Sequence, residues 1–197
     1  MNLYVVRHGQ INQNKKQKYK KLTISEYNAI VTERGDASLN PLGIQQSHEL
    51  SFDFYGQKID RIFSSPIKRA LETAKILEEE LKIEVTILPD AYEILPPILK
   101  SKNSNKKYTR KYLIIRSFFK SLIPFKKSSE SFFHMFFRAR KVWKKLTENP
   151  SDDIIFVSHQ GFINVLFLYL KFERRCIVVD KDLSNCGVSE VRYTASK

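Results

Sequence analysis

The sequence has few cysteines and no long, uninterrupted apolar run. Its 197 residues include two cysteines, Cys176 and Cys186, which are too few for a disulfide scaffold or a four-thiolate zinc site. So few thiols fit a reducing compartment, and we expect a cytoplasmic protein. We also expect no signal peptide, because the polar pair Arg7 and His8 follows the short apolar start.

The most apolar stretch, residues 154–170, contains five polar or small residues between position 158 and position 164. This pattern predicts a strand, a turn and a buried helix rather than a membrane span. The length predicts a single domain over residues 1–197.

Acidic residues are almost absent from one part of the chain. Residues 98–145 contain 15 basic residues and one acidic residue, Glu130, whereas the rest of the chain contains 19 basic and 20 acidic residues. The sequence therefore predicts a near-neutral domain with a basic helical or loop insertion at about residues 98–128.

Three interpretations of this basic insertion are open. It is a solvated, lysine-rich surface, it steers an anionic substrate towards a site, or it contacts nucleic acid or an anionic membrane. Tyr108, Tyr112, Phe118 and Phe119 alternate with basic residues, which suits either of those partners. No recognised nucleic-acid motif is present, and we favour the first two interpretations together.

Strand and helix patterns alternate along the chain. Short apolar runs predict strands at residues 3–6, 59–63, 84–88, 153–157, 176–179 and 188–193. Periodic apolar positions predict helices at residues 41–54, 66–81, 129–147 and 162–170, and weaker patterns suggest helices at 25–31 and 108–122 within otherwise irregular segments. Asn40-Pro41 and Ser65-Pro66 each combine an N-cap residue with a following proline. The phenylalanine-rich stripe at residues 132–143 is predicted to face the core. This alternation predicts an α/β fold, a three-layer α/β/α sandwich with a mostly parallel sheet.

Residues that could take part in catalysis follow the predicted strands. Arg7, His8 and Gly9 follow the first strand, Ser65 and Pro66 the second, and His159 and Gln160 the fourth, while Glu93 lies in the proline-rich segment after the third. Because sites in parallel sheets lie beyond the carboxyl ends of the strands, we expect these residues to converge.

These residue types suit phosphoryl transfer. A neutral imidazole is a nucleophile when one ring nitrogen is free and the other is held as N–H. Arginine forks stabilise the negative charge of a phosphoryl group. A carboxylic acid can protonate the leaving oxygen. His48 and His134 lie outside these segments, and we interpret them as structural or surface residues.

Four motifs occur together in order along the chain. They are Val6-Arg7-His8-Gly9-Gln10 with Asn14, Leu39-Asn40-Pro41-Leu42-Gly43 with Gln46, Phe63-Ser64-Ser65-Pro66 with Arg69, Ala70, Thr73 and Ala74, and Val157-Ser158-His159-Gln160-Gly161. Together they resemble the histidine phosphatase superfamily in its phosphoglycerate-mutase-like branch, whose fold the resemblance also implies.

The resemblance implies a role for each matching residue. His8 attacks phosphorus and becomes phosphohistidine, while Arg7, Arg69 and His159 bind the phosphoryl oxygens. Glu93 protonates the leaving group and then activates water, with nearby Asp90 as an alternative acid. Asn14 and the backbone N–H of Gln160 add donors to the phosphate. Neither a metal nor another cofactor is implied.

The predicted activity is metal-independent hydrolysis of a phosphomonoester. The expected substrate is a small phosphorylated molecule, with a phosphopeptide as a further option. Two alternatives remain, namely a mutase-type phosphotransferase and a non-catalytic protein that binds polyanions. The oligomeric state is not predicted.

Overall fold

The structure, a computed structural model, describes residues 1–12, 21–35, 37–94, 98–100, 105–121 and 130–194. Asn14 and residues 101–104 and 122–128 of the predicted basic insertion lie outside these residues. Among the described residues, no helix has both the length and the apolar character needed to cross a membrane.

Six strands form one sheet in the order β3-β2-β4-β1-β6-β5. They are β1 (Asn2–Arg7), β2 (Arg61–Ser64), β3 (Val85–Ile87), β4 (Ile154–Ser158), β5 (Cys176–Val178) and β6 (Val188–Tyr193). The four strands β3, β2, β4 and β1 are mutually parallel, and β6 is antiparallel to both of its neighbours. The predicted mostly parallel sheet is therefore confirmed.

The described residues form six α-helices, α1 (Ile24–Gly35), α2 (Pro41–Phe52), α3 (Lys68–Leu81), α4 (Arg110–Ser121), α5 (Phe132–Leu146) and α6 (Gln160–Leu170), with a short 3-10 helix at Pro89–Ala91. Four of these α-helices cover the two faces of the sheet. On one face α5 and α6 pack against alternate strand residues such as Leu3 and Phe156. On the other face α2 and α3 pack against the intervening residues, including Val6 and Ile155. This arrangement is the predicted three-layer sandwich, and it follows from the alternation of side chains along each strand.

Helices α1 and α4 form a separate unit, which we call the α1–α4 unit. Its buried apolar residues are Leu22, Ile24, Tyr27, Val31, Leu99 and Leu113. The side-chain amide of Asn28 donates to Leu99 O at 2.9 Å and accepts from Leu99 N at 3.0 Å. The predicted insertion thus packs against the segment that follows the first motif.

The helix suggested at residues 25–31 is present and is longer than expected, because α1 occupies Ile24–Gly35. A capping box begins this helix: Thr23 Oγ1 accepts from Glu26 N, and Glu26 Oε2 accepts from Thr23 N. Reciprocal bonds of this kind satisfy two backbone donors at a helix start.

Two local predictions were wrong. Ser65 does not cap α3, whose N-cap is Ile67, because the Ser65 hydroxyl bonds to His159 instead. The phenylalanine-rich stripe is not wholly buried, since Phe133 and Phe137 are 64% and 61% exposed. The buried face of α5 consists instead of Met135, Ala139, Val142, Trp143 and Leu146.

Candidate active site

The carboxyl ends of β1, β2 and β4 bring the predicted residues together. Arg7 is the last residue of β1 and pairs with Ser158 at the end of the neighbouring β4. His8 and His159 follow those two strands directly, and their ring centroids lie 5.2 Å apart. Strand register, rather than the loops, therefore sets the separation of the two histidines.

His8 is buried, and the unprotonated nitrogen of its ring is Nε2. Its Nδ1 lies 2.7 Å from the carbonyl oxygen of Gly9, so Nδ1 holds the proton and donates it to that oxygen. Nε2 then accepts from Arg69 Nε at 3.0 Å. Burial, together with the charges of Arg69 and Arg7, lowers the pKa of His8 to about 3. A neutral imidazole with this orientation is a competent nucleophile.

Close backbone packing holds the His8 loop in place. A Cβ on Gly9 would lie 2.5 Å from Gly43 O, and a Cβ on Gly43 would overlap the backbone of Gln10. Gly9 N donates to Thr73 Oγ1 at 3.0 Å, and the side chain of Asn185 donates to His8 O at 3.1 Å. These contacts explain why glycine stands at positions 9 and 43.

Arg69 connects the nucleophile to the carboxylate. It lies in the first turn of α3 and is 3% exposed. Besides its bond to His8, its Nη1 donates to Gly35 O at 3.4 Å, and its Nη2 lies 3.7 Å from Glu93 Oε2. The guanidinium thus presents its fork to the space between His8 and Glu93.

His159 is fully buried, and its two ring nitrogens have different surroundings. Nε2 lies 2.7 Å from Ser65 Oγ, which also accepts from Ile67 N. Nδ1 has no hydrogen-bond partner among the described residues and lies 3.9 Å from Glu93 Oε2. The Ile67 bond favours donation of the Ser65 hydroxyl to Nε2, which leaves a proton on Nδ1. Burial, reinforced by Arg69, holds the pKa of His159 well below its usual value.

Glu93 lies against the N-terminus of α6. Its Oε1 accepts from the backbone N–H of Ile94 at 2.8 Å, and the N–H of Phe162 also binds the carboxylate. Burial raises the pKa of Glu93 above its ordinary value, although these N–H groups and the nearby arginines oppose the shift. The raised pKa favours the protonated carboxyl group, which is the form that can give a proton to a leaving oxygen.

The alternative acid, Asp90, faces a different partner. Its carboxylate pairs with Lys141 Nζ at 2.7 Å, whereas the carboxylate of Glu93 lies beside Arg69 and His159. The geometry therefore favours Glu93 for a role at this site.

The remaining predicted residues are placed in part. Arg7 is half-buried, and its Nη1 donates to Leu183 O at 2.7 Å. Burial lowers its pKa, and Glu93 opposes that shift. Gln160 is the first residue of α6 and is exposed. Asn14 lies outside the described residues. Sequence reasoning placed Ser65 among the converging residues but not as the partner of His159, and it did not single out Thr73, although both belong to the third motif.

No group of three or more His, Cys, Asp or Glu side chains in the described part of the chain is arranged to hold a metal ion. The polar groups that surround His8 are instead donors from arginine, imidazole and backbone. Such a donor set suits the oxygens of a phosphoryl group.

Comparisons with known proteins agree with this geometry. The sequence model of the histidine phosphatase superfamily (branch 1) matches residues 3–197. A curated protein of Hydrogenobacter thermophilus named "Putative phosphoserine phosphatase 2" is 34% identical over 85 residues. That match covers 43% of this chain and 36% of the relative, so it spans about a third of the relative's length.

Solved structures have the same fold. The phosphoserine phosphatase of Entamoeba histolytica, in complex with 3-phosphoglyceric acid, has a TM-score of 0.60 and 22% identity, with 96% of this chain and 89% of that chain covered. A mycobacterial glucosyl-3-phosphoglycerate phosphatase has a TM-score of 0.61 and 19% identity, with 86% and 78% covered. At these identities the likeness establishes the shared fold.

Proposed function

The chain belongs to branch 1 of the histidine phosphatase superfamily, and on that basis we propose that it hydrolyses a phosphomonoester through a phosphohistidine on His8. The observation that carries this proposal is that Arg69 lies between the nucleophile and the acid, with its Nε 3.0 Å from His8 Nε2 and its Nη2 3.7 Å from Glu93 Oε2. The reaction needs a nucleophile, cationic donors and an acid, and these side chains supply them.

In the first step, the His8 Nε2 lone pair attacks phosphorus and the bond from phosphorus to the ester oxygen breaks. The Glu93 carboxyl gives its proton to that oxygen, which leaves as an alcohol. Phosphoryl oxygens replace His8 Nε2 as the partner of Arg69 Nε, and Arg7 and His159 Nδ1–H donate to the same group. His8 keeps its Nδ1 proton bound to Gly9 O throughout.

In the second step, the Glu93 carboxylate removes a proton from water, and the water oxygen attacks phosphorus. The bond between phosphorus and Nε2 breaks, which restores neutral His8 and releases inorganic phosphate. Asn14 and the Gln160 N–H are proposed as further donors to the phosphoryl group.

Hydrolysis of 4-nitrophenyl phosphate tests this proposal in the presence of EDTA. Wild type should release phosphate, and His8→Ala should reduce kcat to background. His48→Ala is the matched control, because His48 lies on α2 and bonds to Glu80 rather than to the site. Undiminished hydrolysis by His8→Ala would refute the proposal.

Trapping of the intermediate separates hydrolysis from its alternatives. Wild type mixed with labelled phosphomonoester and quenched rapidly should carry acid-labile, alkali-stable phosphate that is absent from His8→Ala. Transfer of the label to an added acceptor instead of water would indicate a mutase. Salt-sensitive polyanion binding without phosphorylation would indicate a binding protein.

The substrate panel follows from the relatives. Two of the proteins described above are named as phosphoserine phosphatases, so phosphoserine is the first substrate that we propose to test. Phosphorylated glycerates, sugar phosphates and phosphopeptides follow.

We further propose that the basic insertion attracts the anionic substrate. Its described residues include the exposed Lys100, Lys106, Lys107 and Lys111, which belong to the α1–α4 unit or flank it. Steering of this kind predicts that kcat/KM falls with ionic strength while kcat does not. A kcat/KM that is independent of salt would instead support the interpretation of the basic insertion as a solvated, lysine-rich surface.

A further inference from the structure

Arg138 is a buried cation that donates two hydrogen bonds to the backbone just before Glu93. It lies on α5 and is 3% exposed. Its Nη1 donates to two backbone carbonyls, Asp90 O at 2.7 Å and Tyr92 O at 2.8 Å. Those carbonyls belong to the 3-10 helix Pro89–Ala91 and to the residue after it, directly before Glu93.

Glu130 neutralises this cation. Arg138 Nε lies 2.6 Å from Glu130 Oε1, and Nη2 lies 2.7 Å from Oε2, which is a two-pronged pair. Glu130 is the single acidic residue among residues 98–145. The one carboxylate in a strongly basic stretch is thus bound to Arg138, where it offsets the cost of burying the charge.

The guanidinium also joins the two elements that hold the Glu93 carboxylate. Its carbon lies 3.6 Å from the ring centroid of Tyr92 and 5.1 Å from that of Phe162. Tyr92 precedes Glu93, and the N–H of Phe162 binds the Glu93 carboxylate. Arg138 therefore fixes the glutamate segment against the first turn of α6 from both sides.

We propose that Arg138, paired with Glu130, is a positioning residue that holds Glu93 at the distance from His8 that proton donation requires. The inference rests on the proposed role of Glu93 as proton donor. Without Arg138, residues 90–94 lose two hydrogen bonds to their backbone carbonyls and the cation stacked on Tyr92. Glu93 then moves relative to the leaving oxygen. A misplacement of about 1 Å at a reacting group costs on the order of 100-fold in rate.

The leaving group distinguishes positioning from general structural support. An alkyl phosphate such as phosphoserine needs a proton on its departing oxygen, whereas 4-nitrophenolate departs without one. Hydrolysis of the phosphohistidine is common to both esters, so kcat/KM, which reports the steps up to departure of the alcohol, isolates proton donation. Loss of Glu93 placement therefore lowers kcat/KM for phosphoserine far more than kcat/KM for 4-nitrophenyl phosphate. A general loss of folded enzyme lowers both rates by the same factor.

The experiment measures kcat/KM for both esters with Arg138→Met, Arg138→Lys, Glu130→Gln and Glu93→Gln, and follows folding by thermal unfolding. We expect Arg138→Met to lower the rate for phosphoserine about 100-fold more than the rate for the aryl ester. Arg138→Lys should lie between Arg138→Met and wild type, because an ammonium group lacks the fork. Glu130→Gln gives a second route to the same effect if Arg138→Met does not fold.

Arg61→Lys is the matched control. Arg61 also pairs with a carboxylate, Asp152, at 2.7 Å and lies over an aromatic ring, that of Phe63, but it is at the amino end of β2, opposite the site. This variant should leave the ratio of the two rates unchanged.

The outcomes separate the two proposals. If Glu93→Gln shows no preference between the esters, its role as proton donor fails, and the inference on Arg138 fails with it. If Glu93→Gln discriminates but folded Arg138 and Glu130 variants do not, the positioning inference is overturned and the proposed function stands.

Discussion

Gly161→Ala should separate the activity of this protein from its stability. Gly161 is the second residue of α6. A Cβ at this position would lie 2.6 Å from Glu93 Oε1 and 3.5 Å from Ile94 Cβ. The first distance is too short for any contact, while the second is ordinary, so the added methyl group acts on the Glu93 carboxylate.

The size of the effect follows from these distances. Ordinary contact begins at 3.4 Å, so the carboxylate must withdraw by about 0.8 Å. A displacement of this size at a reacting group reduces the rate by roughly 10- to 100-fold. Folding should not suffer, because Glu93 is the far end of a flexible side chain and alanine favours a helix over glycine by up to about 1 kcal/mol.

The assay compares kcat for phosphoserine with the melting temperature of the same preparation. Gly161→Ala should lose activity while its melting temperature stays equal to wild type or rises. Asn164→Ala is the control, because Asn164 is exposed on the same helix and its side chain accepts from Lys181 Nζ. A variant that keeps wild-type kcat would show that contact between Glu93 and α6 does not control the proton donor.

Three further outcomes are expected. The pKa of His8 is about 3 in the folded protein, against the ordinary value of 6.5. Between these two values the unfolded chain binds one proton more, so the free energy of unfolding falls as the pH drops below 6.5, by up to about 1.4 kcal/mol per pH unit. Urea titrations should show a shallower fall for His8→Asn, and an equal slope would contradict the lowered pKa. Ser65→Ala removes the partner of His159 Nε2 and should lower kcat on the order of tenfold, with no added loss in a His159→Ala background, which a double-mutant cycle measures. Leu113→Ala should cost about 2–5 kcal/mol within the α1–α4 unit, so hydrogen exchange should quicken in α1 and α4 but not in β1, and equal change in β1 would show that the unit does not open by itself.

Much of the fold and the location of the site could be predicted because both depend on short-range patterns. Short apolar runs predicted the six strands of the described residues to within two residues of their ends, and Asn40-Pro41 correctly marked the start of α2, where Asn40 accepts from Gly43 N. The ends of the parallel strands then identified Arg7, His8 and His159 as neighbours. The structure brings these residues together with Arg69 and Glu93, while their chemical roles remain predictions.

The features that were missed depend on contacts between distant segments. The hydroxyl of Ser65 bonds to His159, a residue 94 positions away, so its local resemblance to an N-cap was misleading. Arg138 binds carbonyls more than 40 positions earlier in the chain, which no local pattern encodes. The capping box at Thr23 was visible in the sequence, but it followed a lysine-rich stretch that suggested an irregular segment.

The separate core of the α1–α4 unit has a consequence for how specificity can change. Its apolar residues pack on one another rather than on the sheet, and its described link to the site is the bond from Arg69 to Gly35 O. Substitutions, or a transplant of both helices from a relative, can therefore change the partner of Arg69 at Gly35 while His8 and His159 stay on the sheet. The helices next to Arg69 can thus vary between relatives without any change in the sheet that holds the two histidines.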